Sequence, residues 1–415
     1  MNTNAVKLSH SSKTLSGTVQ LTGSKSESNR ALIIQALGNG TVHIDNLSSA
    51  ADTVTLRQAL ETIAASDAEE TVIDIGPAGT AMRFLTAYLT TAKGNYVLTG
   101  SKRMKQRPIG ILVDALKTLG ADIRYAEEIG YPPLAINGGF MQKTPEVRVQ
   151  GNVSSQYLSA LLLIAPSLPH GLRLKIEGEL TSRPYLSMTL NMLLQAGVDH
   201  EWSGDTIHIA PQQTQPSTLA IEPDWSAASY WYAMVALSAS GNIFLPELKR
   251  NSLQGDMAIV DIMVHFGVAS SFENGGLRIQ KTTTHSDKTL FDFKACPDLA
   301  QTAIVCAAAL KRDLSFTGLQ TLKIKETDRI AALQNELVKF GVKLVEDGEI
   351  CHLDTAGLYQ PEHLVIDTYE DHRMAMAFAP LALMFDPVQI NEPEVVEKSY
   401  PDFWKHLKQQ GFIIS

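Results

Sequence analysis

The sequence predicts an α/β protein of two similar domains, each built from three repeated α/β units. The chain of 415 residues is too long for one ordinary core. Glycine-terminated helices recur along it, and helices that are apolar on every side alternate with them. With 44% apolar and 19% charged residues, the composition is typical of a globular protein. We therefore expect an ordered chain with large hydrophobic cores.

An amphipathic helix that ends in glycine occurs five times. Glycine adopts the left-handed backbone conformation that ends a helix, which predicts where each copy stops. The segments are LVDALKTLG, LNMLLQAG, IVDIMVHFG, ALQNELVKFG and DFWKHLKQQG, ending at Gly120, Gly197, Gly267, Gly341 and Gly411. These glycines lie 70 to 77 residues apart, and TLRQALETIAA supplies a first copy without its glycine. Six copies of about 70 residues account for the whole length.

A second type of helix alternates with the first. It opens with small or hydroxyl residues and then becomes wholly apolar, which is typical of a buried helix. The segments are SNRALIIQAL, GTAMRFLTAYL, SSQYLSALLLIA, DWSAASYWYAMVAL, PDLAQTAIVCAAAL and DHRMAMAFAPLAL. Short β-rich segments lie between the helices: TVQLTG, NYVLTG, LRLKIEG, DTIHIA and HLVIDT. One long doubly wound sheet would not explain why the buried helix recurs about every 70 residues.

The domain boundary is predicted at residues 212–223, a segment rich in proline and polar residues without helical periodicity. It divides the copies three and three. We hypothesise that the first strand crosses over to the second half. Residues 1–20 and 221–415 would then form one domain that holds both chain ends, with residues 21–220 inserted into it and hinges near 20–22 and 212–223.

Charge and cysteine content exclude several classes of protein. A net charge of −9 argues against nucleic-acid binding, which needs a cationic surface. Cys296, Cys306 and Cys351 include no C-x-x-C pair, so neither a disulfide framework nor a zinc site is predicted. The N-terminus lacks the apolar segment of a signal peptide, and no apolar stretch is long enough to cross a bilayer. We expect a cytoplasmic monomer without nucleic-acid or membrane partners.

Three segments of the first half place cations or glycines at predicted helix starts, where backbone N–H groups attract anions. They are GSKSESNR (Gly23 to Arg30), GPAGTAMR (Gly76 to Arg83) and RMKQRP (Arg103 to Pro108). Each has an ordinary alternative: a capped helix, a packed helix start, or a solvated cationic face. Ser154, Ser155 and Gln156 begin another helix, as do Ser182 and Tyr185, and hydroxyls there more often serve as caps.

The most informative segment is KETDR, from Lys325 to Arg329. A surface helix usually starts with acids, whereas this start gathers Lys323, Lys325 and Arg329 beside Glu326. Glu326 between cations would stay ionised or share a proton, which is the setting of a tuned general acid or base. Two further charged segments follow, DHR (Asp371 to Arg373) and EKSYPD (Glu397 to Asp402).

Together these segments resemble the EPSP synthase (3-phosphoshikimate 1-carboxyvinyltransferase) family of enolpyruvyl transferases, from about Leu15 to Phe412. The motifs GSKSxSNRAL, AGTAMR, RMxxRPI, SSQ, PD, KETDR and DHRMAM occur in the family order and are specific in combination. The resemblance implies three α/β units about a pseudo-threefold axis in each domain, with the active site in the interdomain cleft. It implies an enzyme of the shikimate pathway to chorismate and the aromatic amino acids, which glyphosate inhibits.

The implied reaction transfers the enolpyruvyl group of phosphoenolpyruvate to the 5-hydroxyl of shikimate 3-phosphate. By this resemblance, shikimate 3-phosphate would contact Lys25, Ser26, Arg30, Ser154, Ser155, Gln156, Ser182, Tyr185, Asp298, Thr321 and Lys325. Phosphoenolpyruvate would contact Lys25, Gly79, Arg107, Gln156, Arg329, Arg373 and Lys398. Asp298, Glu326 and Lys25 would handle the protons. The family needs no cofactor or metal.

The chain departs from the common family pattern at four positions. Thr321 and Pro77 stand where many members have asparagine, and Phe84 and Thr22 where many have proline. None of these changes removes a charge that the chemistry needs. Thr321 leaves one shikimate contact open, and Pro77 and Phe84 leave glyphosate sensitivity open.

Two alternative functions remain. The related UDP-N-acetylglucosamine enolpyruvyl transferases lack KETDR and usually carry a catalytic cysteine on a loop, whereas residues 103–108 contain no cysteine. A non-catalytic anion-binding relative would be expected to lose Asp298, Glu326 and Lys25 first. Both alternatives are therefore less favoured than the reaction on shikimate 3-phosphate.

Each implied substrate carries a phosphate and a carboxylate, so the site needs several cations. The candidates are Lys25, Arg30, Arg107, Lys325, Arg329, Arg373 and Lys398. The arginines suit bidentate binding of such anions. Without substrate these cations would repel one another, and we expect the two halves to stay apart until an anionic substrate draws them together.

Overall fold

The computed structural model describes residues 4–283 and 286–415. The chain folds into two compact units. The terminal unit consists of the chain up to Thr22 and from Glu222 onward, and the inserted unit consists of Gly23–Ile221. No helix in the described ranges combines the length and the apolar character needed to span a membrane.

Two strands at the start of the chain belong to the terminal unit, and the inserted unit follows them. The two strands are β1 (Ala5–Ser9) and β2 (Thr14–Thr18). The elements of the inserted unit are α1 (Lys25–Leu37), β3 (Val42–Asp45), α2 (Ala51–Ala65), β4 (Thr71–Asp74), α3 (Gly79–Thr91), β5 (Asn95–Thr99), α4 (Gly110–Leu119), β6 (Asp122–Tyr125), β7 (Leu134–Asn137), β8 (Glu146–Gln150), α5 (Ser155–Ile164), β9 (Leu172–Glu177), α6 (Arg183–Gln195), β10 (Glu201–Ser203), β11 (Thr206–Ile209) and β12 (Ser217–Ala220).

The remainder of the chain completes the terminal unit. Its elements are α7 (Trp225–Leu237), β13 (Ser240–Pro246), α8 (Ile259–Val264), β14 (Val268–Glu273), β15 (Gly276–Lys281), β16 (Leu290–Asp292), α9 (Ala300–Ala309), β17 (Ser315–Thr317), α10 (Arg329–Leu337), β18 (Lys343–Asp347), β19 (Ile350–Asp354), β20 (Leu364–Ile366), α11 (His372–Phe378), β21 (Val388–Asn391), α12 (Phe403–Gln409) and β22 (Ile413–Ile414). The predicted order of buried and surface helices is confirmed throughout.

The same sheet recurs in both units. The four-stranded sheets are β4-β5-β7-β6 and β8-β9-β11-β10 in the inserted unit, and β2-β13-β15-β14, β16-β17-β19-β18 and β20-β21-β1-β22 in the terminal unit. In each, the first two strands are parallel and the remaining pairs are antiparallel. A parallel pair needs a crossover connection, and a buried helix supplies it. The two-domain α/β fold with repeated units is therefore the fold that the sequence predicted.

Strands from distant parts of the chain pair in both units, as β1 already does with β21 and β22. In the terminal unit, β2 pairs in parallel with β13, with Thr14 opposite Ser240. In the inserted unit, the third repeat keeps only a parallel pair, β12 with β3, with Ser217 opposite Val42. The two units divide between Ile221 and Glu222, inside the segment 212–223, and part of that segment forms β12.

The wholly apolar helices form the cores of both units. In the terminal unit α7, α9 and α11 pack against one another, and in the inserted unit α1, α3 and α5 do so. Helix α7 buries Trp225, Tyr230, Trp231 and Tyr232. Surface helices bury one face only, which is the arrangement that their amphipathic pattern predicts.

The five helix-terminal glycines all have positive φ, between 77° and 119°. At Gly341 an added Cβ would lie 2.0 Å from the carbonyl oxygen of Gly357, so a side chain there is excluded by space as well as by conformation. The predicted helix ends are confirmed. The segment TVQLTG, predicted to be β-rich, lies mostly outside the strand, because β2 ends at Thr18. Beyond it, the backbone N–H of Val19 still donates to the carbonyl of Phe244 on β13.

Candidate active site

In the terminal unit, charged side chains meet where α9, α10 and α11 begin. Helices α9 and α11 are buried helices of neighbouring repeats, and α10 is the surface helix that follows α9. Their first turns meet, although the sequence places these residues far apart. We call this group the acid–base cluster; it comprises Asp298, Lys325, Glu326, Arg329, Asp371, Arg373 and Lys398. It contains most of the predicted site residues of this unit.

Arg329 is the centre of the acid–base cluster, and its side chain is only 2% exposed. Its Nε donates to Asp371 Oδ2 at 2.7 Å, its Nη1 to Asp298 Oδ1 at 3.0 Å and its Nη2 to Glu326 Oε2 at 3.0 Å. Asp328 caps α10 by accepting from the backbone N–H of Ile330, which fixes the first turn that carries Arg329. One guanidinium therefore holds three carboxylates in place.

Asp298 lies on the short turn Pro297–Leu299 that leads into α9. Arg373 Nη2 donates to its Oδ2 at 2.9 Å, and Lys325 Nζ lies 3.6 Å from its Oδ1. Burial alone would raise the pKa of this carboxyl, but Arg373, Lys325 and Arg329 together hold the pKa well below its usual range. Asp298 is therefore a carboxylate at neutral pH in the absence of substrate.

Arg373, on the first turn of α11, is positioned by four groups of its own unit. Its Nη1 donates to Tyr230 Oη at 3.1 Å and to the carbonyl oxygen of Asp298 at 3.3 Å. Its Nη2 donates to Asp298 Oδ2 and, at 3.3 Å, to Ser226 Oγ. Asp371 caps α11 by accepting from the backbone N–H of Arg373 at 2.9 Å. The guanidinium is thus fixed before any ligand arrives.

Glu326 and the two lysines complete the acid–base cluster. Lys398 Nζ lies 3.2 Å from Glu326 Oε1, so the carboxylate of Glu326 lies between Arg329, which the sequence placed beside it, and Lys398, which the sequence did not. Burial lowers the pKa of Lys325, and Asp298 opposes part of that effect. A carboxylate held between two cations and largely shielded from water is suited to proton transfer.

The mutual repulsion expected of the cations does not apply inside this unit. Lys325, Arg329, Arg373 and Lys398 each lie within ion-pair distance of Asp298, Glu326 or Asp371. The sequence argument counted cations and left out the acids that lie among them. Attractive pairs therefore outweigh repulsion between like charges at these distances.

Two residues near KETDR behave differently from the acid–base cluster. Lys323 is half exposed and forms an ion pair with Glu346 on β18, so it takes no part in the cluster. Thr321, on the turn Gln320–Ile324, has a buried Oγ1 without a hydrogen-bonding partner in the described part of the chain. Its hydroxyl stays a candidate for the shikimate contact.

In the inserted unit, Lys25 is the first residue of α1. Its Nζ donates to Asp52 Oδ2 at 3.2 Å, and both side chains are largely buried. Ser24 caps the helix by accepting from the backbone N–H of Glu27. Ser26 follows at the surface of the same turn, half buried. Asp52, which positions the ammonium group of Lys25, had no recognisable signal in the sequence.

Arg30 is predicted to contact shikimate 3-phosphate, and in the structure it joins three helices. Its Nε donates to Thr189 Oγ1 at 2.7 Å, its Nη1 to the carbonyl of Ser26 at 2.8 Å, and its Nη2 to Ser159 Oγ and the carbonyl of Tyr185 at 3.1 and 3.3 Å. Burial lowers the pKa of Arg30 to about 10, so it stays cationic at neutral pH. These bonds occupy four of its five N–H donors within the unit.

Phe84, one of the departures from the family pattern, packs beside Arg30. The guanidinium carbon lies 5.5 Å from the centroid of its buried ring. A cation at this distance from an aromatic ring is attracted by the ring quadrupole. Phe84 therefore adds a stabilising contact to Arg30, whereas Pro77, another departure, is exposed.

Gly79 and Arg107 are in direct contact. A Cβ added at Gly79 would lie 2.6 Å from Arg107 Nη1, so the guanidinium packs against the start of α3. Arg83 fixes both segments: its Nη1 donates to the carbonyl of Gly79 at 3.1 Å and its Nη2 to that of Pro108 at 3.3 Å. Arg107 is buried, whereas Lys105 pairs with Glu127 at 2.7 Å near the surface. Of the cations in this segment, Arg107 is the one built into the unit.

The remaining predicted residues lie at the starts of α5 and α6. Gln156 Nε2 donates to Thr80 Oγ1 at 3.1 Å, which brings α5 beside the start of α3. Ser154 caps α5 by accepting from the backbone N–H of Gln156, and half-buried Ser155 follows it. Ser182 precedes α6 with a φ of 54°. Its carbonyl accepts from the backbone N–H of Tyr185.

The arrangement of possible metal ligands and the state of the cysteines bear on whether the protein could hold a metal ion. In the described residues, no three histidine, cysteine, aspartate or glutamate side chains are grouped so as to hold a metal ion. Cys296, Cys306 and Cys351 are buried and free, and burial raises the pKa of the first two thiols to about 12. All three are therefore protonated and packed inside the terminal unit.

Comparison with known proteins identifies close relatives. The family model described as EPSP synthase (3-phosphoshikimate 1-carboxyvinyltransferase) matches residues 10–407. The 3-phosphoshikimate 1-carboxyvinyltransferase of Bacteroides fragilis (strain YCH46) is 48% identical over 400 residues, covering 96% of each chain. That of Vibrio campbellii (strain ATCC BAA-1116) is 37% identical over 417 residues, covering 95% of this chain and 96% of the relative.

Solved structures show the same fold. The EPSP synthase of Acinetobacter baumannii matches with a TM-score of 0.78 at 21% identity and covers 99% of both chains. The enolpyruvyl transferase NikO from Streptomyces tendae matches with a TM-score of 0.73 at 16% identity, covering 100% of this chain and 99% of that one. At such identities the likeness concerns the fold, and the sequence relatives carry the comparison of function.

Proposed function

The chain belongs to the EPSP synthase (3-phosphoshikimate 1-carboxyvinyltransferase) family, and we propose that it transfers the enolpyruvyl group of phosphoenolpyruvate to the 5-hydroxyl of shikimate 3-phosphate. The observation that carries this proposal is the acid–base cluster, in which two carboxylates, Asp298 and Glu326, are held among four cations. The reaction belongs to the shikimate pathway of aromatic amino acid biosynthesis. Its products are 5-enolpyruvylshikimate 3-phosphate and phosphate.

The proposed binding roles follow from charge. Both substrates are polyanions, and a guanidinium or ammonium group can bind each phosphate and carboxylate. We assign phosphoenolpyruvate to Lys25, Gly79, Arg107, Gln156, Arg329, Arg373 and Lys398. We assign shikimate 3-phosphate to Lys25, Ser26, Arg30, Ser154, Ser155, Gln156, Ser182, Tyr185, Asp298, Thr321 and Lys325. Arg30 and Arg329 would contribute mainly through the residues that they hold, since most of their donors are already engaged.

The chemistry is an addition followed by an elimination. The 5-hydroxyl oxygen attacks C2 of the enol while C3 takes a proton, giving a tetrahedral adduct. The adduct then loses phosphate from C2 and a proton from C3, which restores the double bond as an enol ether. We assign the protonation and deprotonation of C3 to Glu326, and the removal of the hydroxyl proton to Asp298 or Lys25.

The position of Asp298 supports its part in this scheme. Its low pKa keeps it ionised in the unliganded protein, so it is an acceptor ready for the hydroxyl of the incoming alcohol. Substrate anions that bind Arg373 and Lys325 would weaken the field of these cations at Asp298. The pKa of Asp298 would then rise, and the carboxylate would become a stronger base once the substrates are bound.

The proposal includes binding of both substrates by residues of both units. It also includes hinge motion where the chain passes from one unit to the other, near Thr22 and Ile221. It also includes a monomer in a reducing cytoplasm, in line with three free cysteines that are buried. Anionic substrates supply the attraction between cations of the two units, and this attraction is absent without them.

The function is tested by mixing the purified protein with phosphoenolpyruvate and shikimate 3-phosphate and measuring released phosphate. We expect phosphate and the enol ether in equal amounts. UDP-N-acetylglucosamine in place of shikimate 3-phosphate should give neither product. Turnover with the UDP-sugar alone would replace the proposed acceptor, and silence with both acceptors would support the non-catalytic relative.

Replacing Gly79 with alanine should raise the KM for phosphoenolpyruvate about a hundredfold. The new methyl group would occupy space taken by Arg107 Nη1, which lies 2.6 Å from the position of the added Cβ, and would push the guanidinium away. Steady-state kinetics at saturating shikimate 3-phosphate measures the effect. Gly110→Ala is the matched control, because Gly110 also begins a helix but its added Cβ meets nothing nearer than 3.5 Å. Equal KM values for the two variants would contradict the proposed contact.

A further inference from the structure

Asp256 is a buried carboxyl group that the reaction scheme above does not use. It lies on the turn Gly255–Ala258 before α8, and the residue is 5% exposed. Neither its place in the sequence nor the family motifs drew attention to it. Burial of an acid is uncommon, because removing the charge from water is costly.

Asp256 is connected to the acid–base cluster through one hydroxyl group. Ser226, on the first turn of α7, donates a hydrogen bond to Asp256 Oδ2. The same Ser226 Oγ accepts from Arg373 Nη2 at 3.3 Å, and Arg373 Nη2 also donates to Asp298 Oδ2 at 2.9 Å. The order is therefore Asp256, Ser226, Arg373, Asp298.

The direction of each bond in this series is set by chemistry. Arginine can only donate, so the Ser226 oxygen must accept from Arg373 through a lone pair. The single hydroxyl proton of Ser226 is then available for Asp256, which accepts it best as a carboxylate. An ionised Asp256 thus turns the lone pairs of Ser226 toward Arg373, whereas a protonated Asp256 would present a proton of its own to the serine.

The charged or titratable groups that act on Asp256 include Asp224, Cys296, Asp298 and Arg373. Burial and the charge of Asp298 raise the pKa of Asp256 to about 6, and Arg373 opposes part of this rise. Asp224 is occupied in capping α7, where it accepts from the backbone N–H of Ala227 at 3.0 Å. The pKa of the Cys296 thiol is raised to about 12, so the thiol is neutral. The pKa of Asp256 is therefore raised while that of Asp298 is lowered, although both groups act on Arg373.

We propose that Asp256 is a positioning residue for the proposed reaction, which acts through Ser226 to orient the Arg373 guanidinium for phosphoenolpyruvate. The inference rests on the proposed function, since it assigns Arg373 to that substrate. Asp256 itself touches neither substrate in this proposal. Its effect should therefore appear in the KM for phosphoenolpyruvate and leave the KM for shikimate 3-phosphate unchanged.

The proposal and a purely structural role for Asp256 predict opposite effects of its replacement on the stability of the protein. A structural role predicts that the replacement lowers stability, whereas the proposal predicts that it raises stability at pH 7.5. An acid whose pKa is raised by folding stabilises the folded state only at low pH, and this contribution is lost as the pH rises through about 6. An ionised Asp256 is therefore a burden on stability at pH 7.5. Residues retained at such a cost are typical of functional sites.

The test compares wild-type protein with Asp256→Asn and Ser226→Ala. Asparagine keeps the size of the side chain and an acceptor for Ser226 but carries no charge. At pH 7.5 we expect each variant to raise the KM for phosphoenolpyruvate about tenfold, the range for a lost charge-assisted hydrogen bond. The double variant should be no worse than Ser226→Ala alone, because Asp256 acts through the serine. Ser229→Ala, one turn along α7, is the matched control and should stay within about twofold of wild type.

Two further measurements separate the proposed role from a structural one: the pH dependence of kcat/KM and the melting temperature. The ratio of kcat/KM between wild type and Asp256→Asn should fall toward one as the pH is lowered from 7.5 to 5. Ionisation of the substrates cancels in this ratio. The melting temperature of Asp256→Asn should exceed that of wild type at pH 7.5, and the difference should shrink as the pH falls through about 6 toward the pKa of an unfolded aspartate, near 4.

Additive effects in the double variant would overturn the proposal, as would an unchanged KM for phosphoenolpyruvate in both single variants. A lower melting temperature of Asp256→Asn at pH 7.5 would assign Asp256 a structural role instead. If Asp256→Asn does not fold, Ser226→Ala still tests the connection, because it retains the carboxylate. Failure of the proposed function is recognised separately, since wild-type protein would then release no phosphate from the two substrates.

Discussion

Replacing Glu326 with glutamine should lower kcat about 10²- to 10⁴-fold while the KM values of both substrates stay near those of wild type. Glutamine has nearly the same shape, and its amide oxygen can still accept from Arg329, which lies 3.0 Å from Glu326 Oε2. The amide cannot take up or release a proton at C3 of the enolpyruvyl group. Because the reaction needs both steps, the loss falls on turnover and not on binding. Steady-state kinetics with each substrate varied in turn separates kcat from KM.

Glu346→Gln is the matched control for this experiment. Glu346 forms an ion pair with Lys323, as Glu326 does with Lys398, but it lies outside the acid–base cluster on β18. Its replacement should leave kcat unchanged. If Glu326→Gln instead weakened binding and left the turnover of the bound enzyme intact, Glu326 would be a binding residue and the proton transfer at C3 would need another group.

The helices of this fold could be predicted from the sequence because each carries its own signal. A helix that is apolar on every side has to be buried, and α7 with its four large aromatic residues is the clearest case. A glycine after an amphipathic stretch fixes the end of a surface helix, as at Gly120, where the backbone N–H donates to the carbonyl of Leu116. Such local signals do not depend on the rest of the chain.

The sheets could be predicted less well, because a strand carries little information about its partner. The pairing of β2 with β13 joins residues more than 220 positions apart, and neither strand has a sequence feature that indicates its partner. The reduction of the third repeat to β3 and β12 likewise follows from tertiary pairing alone. The resemblance to a known family supplied the arrangement that periodicity could only suggest.

For the candidate site, the sequence predicted which residues carry charge but not how the charges are paired. Lys25, Glu326 and Arg373 were recognised as cations or acids at helix starts. Their partners Asp52 and Ser226 were not, since an aspartate or serine near a helix start is usually a cap. Only the fold shows which polar groups share one guanidinium or ammonium group.

The largest effect on stability is expected at Arg329. Arg329→Met should lower the free energy of unfolding of the terminal unit by about 3–5 kcal/mol at pH 7, the usual loss when a buried pair is broken. Three carboxylates, those of Asp298, Glu326 and Asp371, would lose a common partner that is now 2% exposed. Methionine fills similar space but supplies no charge and no N–H donor.

The pH dependence of this loss has a defined sign. The pKa of Asp298 is held below its usual range in the folded protein, so its pairing stabilises the fold above the unfolded pKa, near 4, and this contribution is lost as the pH falls through the lowered value. In Arg329→Met, Asp298 lacks one of its cationic partners, so its protonation at lower pH removes a buried charge that is poorly compensated and stabilises the variant. The difference between variant and wild type should therefore be smaller at pH 4.5 than at pH 7.

Urea unfolding followed by tryptophan fluorescence measures the effect where it is expected. Three of the four tryptophans, Trp225, Trp231 and Trp404, belong to the terminal unit. Lys323→Met is the matched control, because it removes an exposed cation six residues earlier and should leave the unfolding midpoint almost unchanged. A loss below about 1 kcal/mol for Arg329→Met at pH 7 would equal that of a surface ion pair. It would mean that Arg373, Lys325 and Lys398 hold Asp298 and Glu326 without help from Arg329.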